Sequence, residues 1–109
     1  MKVKVIAQHL GEGQFPTFPM GTAVKLTAEQ DEHFLHWYPC DIDGHDTFVP
    51  ECFICNGRLV RDYNPTELIQ EAGDILTVQE IVYAWLIATN DKGVTGWIPA
   101  EAVVSVNGG

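Results

Sequence analysis

Short apolar or alternating runs, each closed within a few residues by a turn-forming cluster, leave this chain room for strands and almost none for helix. The runs cover residues 3–6, 23–26, 34–38, 48–54, 59–63, 75–78, 83–88, 95–99 and 103–106. The clusters are Gly11-Glu12-Gly13, Asp43-Gly44, Asn56-Gly57 and Asn90-Asp91-Lys92-Gly93. Many short strands so spaced read as an all-β barrel or sandwich. One helical turn over residues 66–71 is cut off at once by Gly73-Asp74.

The runs occur twice in the same order. Laid without a gap on residues 85–99, residues 36–50 bring Gly44 onto Gly93, Pro50 onto Pro99 and His36 onto Trp85, with Phe34 on Tyr83 just upstream. Residues 21–26 match residues 73–78, and the first copy has a polar loop, Ala28-Glu29-Gln30-Asp31-Glu32, between the blocks. An internal repeat is the working premise. It divides the 109 residues at Cys55/Asn56, into 1–55 and 56–109, each near the lower size limit of a domain.

The second half carries a recognisable series. Arg58-Leu59-Val60-Arg61-Asp62-Tyr63 resembles the opening "ALYDY" strand of Src-homology-3 (SH3) domains, and residues 67–76 resemble the "ELSFKKGDIL" segment. Trp85-Leu86-Ile87-Ala88 is similar to "WWLA", and residues 93–99 to the "G-x-x-G-[YWL]-[IF]-P" hairpin and strand. The first half is looser, with no "ALYDY" in residues 3–8. The resemblance implies two small SH3-like five-stranded barrels in tandem, all-β. Leu59, Leu68, Leu76, Val78, Ala88, Ile98 and Val103 are expected in the second core, and Val24, Leu26, Val49 and Ile54 in the first.

The resemblance further implies a groove for extended, Pro-rich segments. In the second unit it would use Tyr63, Trp85 and Pro99, with Glu67, Glu71 and Asp74 in the loop that pairs with a ligand Arg or Lys. Arg61 and Ala102 replace two of the family's aromatics, leaving one pocket shallow and the groove partly cationic. The equivalent surface of the first unit would use His36, Pro50 and Phe53, with Phe15, Phe18 or Trp37 beside it. Phe15-Pro16-Thr17-Phe18-Pro19 reads as an ordinary ordered loop, the alternative being an internal ligand.

Charge narrows the partners. With 15 acidic against six basic residues, net −9, nucleic acid and anionic membrane are disfavoured; the charge first of all keeps a small protein soluble, and it would also attract a basic protein or peptide. No secretory h-region follows Met1, so a soluble, cytoplasmic protein is expected, with Cys40, Cys52 and Cys55 as free and buried thiols. No nucleophile elbow or phosphate loop appears, and neither enzyme activity nor a cofactor is expected. The alternatives to a peptide-binding module are a structural or assembly protein with its groove sealed between the units or in a dimer, and a metal site on the cysteines with His45.

Overall fold

The computed structural model describes residues 1–11, 14–29 and 36–106. Phe34, His33, the tip of the Gly11 cluster and most of the 28–32 loop lie outside the described residues. Among those described, the chain is strand and turn with no α-helix. The strands are β1 (Lys2–Val5), β2 (Lys25–Leu26), β3 (Trp37–Ile42), β4 (His45–Pro50), β5 (Ile54–Cys55), β6 (Arg58–Leu59), β7 (Ile75–Val82), β8 (Trp85–Thr89), β9 (Thr95–Pro99) and β10 (Val103–Ser105). Single 3-10 turns, Glu51–Phe53 and Ala100–Ala102, follow Pro50 and Pro99.

The chain forms two compact units, but they do not divide at Cys55/Asn56. One unit is Phe15–Pro65; the other combines Met1–Gln14 with Thr66–Gly109. The reason is local. Asn56-Gly57 is a hairpin tip, with φ of 52° and 74°, and it folds β6 back antiparallel onto β5. A turn that closes a hairpin keeps both of its strands in one unit, so the residues that read as an opening strand close the unit before them.

The split unit is built on a five-stranded sheet in the order β10-β1-β7-β8-β9. This sheet is open, so closed strand-to-strand barrels are not what the pairing describes. Strand β1 lies inside it, pairing Val3 with both Leu76 and Ser105. Its alternation sends Val3 and Val5 inward, at 3% and 0% exposure, onto Leu68, Leu76, Leu86, Ala88, Ile98 and Ala102. Full burial of each valine contributes roughly 1.5–3 kcal/mol. Val78 and Val103 pack on the rim of this cluster. Gly96 has no room for a side chain, since a Cβ there would stand 2.9 Å from the Thr66 carbonyl oxygen. The expected strand over residues 83–88 begins instead as a turn, with Tyr83 and Ala84 both at positive φ.

The Phe15–Pro65 unit holds a three-stranded sheet, β2-β3-β4, and the β5–β6 hairpin. Val24, Val49 and Leu59 are buried in it, so Leu59 serves this core and not that of the split unit. Ile54 is half-buried and Leu26, on a two-residue edge strand, is 46% exposed, contrary to the expected core.

One set of backbone hydrogen bonds recurs in both units. Gly21 donates to Leu59 and Gly73 to Val5; Val60 donates to Phe53 and Ile6 to Ala102. Tyr63 exchanges a reciprocal pair with Phe18, and His9 does the same with Gln70. Residues 59–63 thus hold in one unit the position that residues 5–9 hold in the other.

Candidate functional site

That equivalence redistributes the expected groove residues. Trp85 and Pro99 are direct partners across β8–β9 in the split unit. The aromatic expected beside them, Tyr63, belongs to Phe15–Pro65, and its counterpart beside Trp85 is His9. The His9 ring stands edge-on to Trp85, centroids 6.0 Å apart at 76°. Its Nε2 donates to Glu67 Oε1 at 2.8 Å, with His9 and Glu67 side chains 16% and 24% exposed. Ala102, at the position Phe53 holds in the other unit, is buried.

The other expected carboxylates flank this pair. Glu71 Oε1 accepts from Gln8 Nε2 at 3.2 Å. Asp74 Oδ2 accepts from Gln70 Nε2 at 2.7 Å and from the Glu71 amide at 2.9 Å, which pins the loop. The half-buried Trp85 therefore lies among Pro99, His9 and Glu67, with exposed Glu71 on the same loop as Glu67. The surface there combines the part-open Trp85 and Pro99 with the carboxylates of Glu67 and Glu71.

In Phe15–Pro65 the corresponding residues face inward. Cα pairing sets Trp37, not His36, opposite Pro50, just as Trp85 stands opposite Pro99. The one-residue difference from the gapless comparison comes from the hairpin tips. Asp43-Gly44 is a two-residue turn, whereas Asn90 closes a longer tip by accepting from the Lys92 and Val94 amides through Oδ1. His36 is instead exposed at φ 69°, and its Nδ1 donates to Glu51 Oε2 at 3.0 Å. Trp37, Pro50, Phe53 and Tyr63 are all buried. Tyr63 donates its hydroxyl to the Phe48 carbonyl at 2.6 Å and stands edge-on to Phe53, and the Arg61 guanidinium lies 4.2 Å over the Phe53 ring. Phe18 is likewise buried against His45, with half-buried Phe15 in a second T-shaped contact to the same ring, while Pro16, Thr17 and Pro19 of the Pro-rich loop are exposed.

The cysteines divide unexpectedly. Only Cys40 is buried; Cys52, on a 3-10 turn rather than in a strand, and Cys55, at the tip end of the two-residue β5, are exposed. Burial, with Asp41 and Asp46 nearby, pushes the Cys40 thiol up to about 12. A disulfide-exchange reagent near neutral pH should therefore titrate Cys52 and Cys55 promptly and Cys40 only on unfolding; three equal fast phases would contradict this placement. Among the described residues no group of three or more His, Cys, Asp or Glu side chains is arranged to hold a metal ion.

The described residues form an all-β protein in which a half-buried tryptophan and acidic side chains lie near one another. In agreement, residues 56–106 match the family model of a variant SH3 domain. The matched stretch crosses from one compact unit to the other, since its first ten residues close Phe15–Pro65. Comparison with curated proteins and with solved structures returns no match. An SH3-type domain points to a protein-interaction module, a class that typically has no catalytic activity.

Proposed function

We propose that this protein binds an extended segment of another protein across Trp85, Pro99 and His9, with Glu67 and Glu71 at the border. One observation carries the reading: Trp85 is half-buried, while its counterpart Trp37 and the neighbours Phe53 and Tyr63 are buried. A large indole left partly open beside a proline is the usual form of a recognition anchor. A net charge of −9 favours partners that are basic around their apolar contacts, and proline-rich segments suit the part-open Trp85 and Pro99. The burial of Trp37, Phe53 and Tyr63 favours a structural role for Phe15–Pro65. Its Tyr63, Pro50 and Phe53 then act as core rather than as ligand contacts, while His36 stands exposed beside Glu51.

Trp85→Ala tests the reading. Extended peptides selected from a random library by the wild-type protein should bind the variant at least about tenfold more weakly, as a central aromatic anchor requires. Circular dichroism and thermal unfolding would establish that the variant is folded. Unchanged affinity in a folded variant would remove Trp85 from the site.

A further inference from the structure

Resting on that reading, we propose that His9 is an internal competitor for the binding surface: it holds Glu67 within the chain, so that a docking cation must displace it. The geometry is specific. The His9 backbone is fixed by its reciprocal hydrogen bonds with Gln70, and its Nε2 reaches Glu67 Oε1 at 2.8 Å while its ring makes a T-shaped contact with Trp85. Downstream, Gly11 passes so close that a Cβ on it would stand 3.0 Å from the Glu67 carbonyl oxygen. The strand segment and the acidic loop are therefore held in register on both sides of the pair. Gln8 likewise donates to Glu71, so the two residues His9 and Gln8, just downstream of β1, engage two of the carboxylates of the loop.

The consequence is a rule of selection. A charge-assisted hydrogen bond contributes a modest net amount when it replaces bonds to water, and less when it replaces a bond that the carboxylate already makes within the chain. A ligand arginine at Glu67 gains only the difference between its own bond and that of His9. The surface then recognises its partner chiefly by packing on Trp85 and Pro99, and its preference for a cation is suppressed.

The experiment compares an arginine-bearing, proline-rich peptide with its citrulline twin, which has the same shape and no charge. Binding is measured by calorimetry to the full-length chain. In wild type the arginine peptide is expected to bind within about threefold of the twin. In His9→Phe, which keeps a ring against Trp85 but loses the donor, that ratio should rise by about tenfold. Glu67→Gln in the wild-type background gives a second reading that does not depend on the first variant folding: it should change the ratio by less than about threefold. An equal ratio in wild type and folded His9→Phe, or a tenfold fall in Glu67→Gln, overturns the competitor role and leaves the docking surface standing. Failure of both peptides to bind either chain overturns the docking surface and the competitor role together.

Discussion

Val5→Asp is expected to unfold the unit of residues 1–14 and 66–109. Val5 is fully buried, its amide donates to the Asp74 carbonyl and its carbonyl accepts from Gly73. A carboxylate placed among Leu68, Leu76 and Ile98 finds no cationic partner among the side chains of that cluster. It must stay neutral or draw in water, at a cost of several kcal/mol. That is comparable to the whole stability of a small domain, about 5–15 kcal/mol. Removing residues 1–9 should have the same result, because it takes β1 from between β7 and β10. Hydrogen exchange reports the outcome directly: the amides of Leu76, Leu86 and Ile98 should lose their protection. Retained protection would mean that residues 66–106 fold without the N-terminal strand.

Tyr63→Ala should cost the Phe15–Pro65 unit about 3–5 kcal/mol, the range for truncating a buried aromatic. The side chain is 3% exposed, packs on Phe53 and donates its hydroxyl to the Phe48 carbonyl. Tyr63→Phe keeps the ring and loses only that bond, so about 1 kcal/mol is expected. The two substitutions separate packing from hydrogen bonding in urea denaturation. A loss below about 1 kcal/mol for Tyr63→Ala would instead describe a tyrosine standing in water as a ligand wall.

Much of the fold was legible because it rests on local chemistry. Glycines at tips, prolines at strand ends and alternating apolar residues place β8, β9 and the first half of β7 nearly where they lie, and with them Leu76, Ala88 and Ile98 in the core. Which strand completes which sheet is not local. Residues 3–6 and 59–63 are similar short apolar strands, and neighbours in sequence usually pair. Pairing residues 58–63 with the strands that follow was therefore the natural expectation. Instead β1 bridges to β7 over some 70 positions, while the Asn56-Gly57 turn commits β6 to β5. From that single exchange come the displaced unit boundary, the placement of Leu59 in the core of Phe15–Pro65 and the replacement of Tyr63 by His9 beside Trp85. The placement of Trp37 had a different cause, a hairpin tip shorter than its counterpart, which a gapless comparison cannot register. Trp85, Pro99 and Glu67 were legible as a group because they lie within one stretch of chain. His9 was not, although its signal was present: it stands four residues after Val5, as Tyr63 stands four after Leu59.

The identity of the strand beside β7 decides among these accounts, and nuclear Overhauser contacts in the labelled full-length protein measure it. Cross-strand contacts from Lys4 to Ile75 and to Val104, with none from residues 58–61 to either, are the predicted result. Contacts from residues 58–61 to Ile75 and Val104 would restore Tyr63 to the side of Trp85 and contradict the exchange.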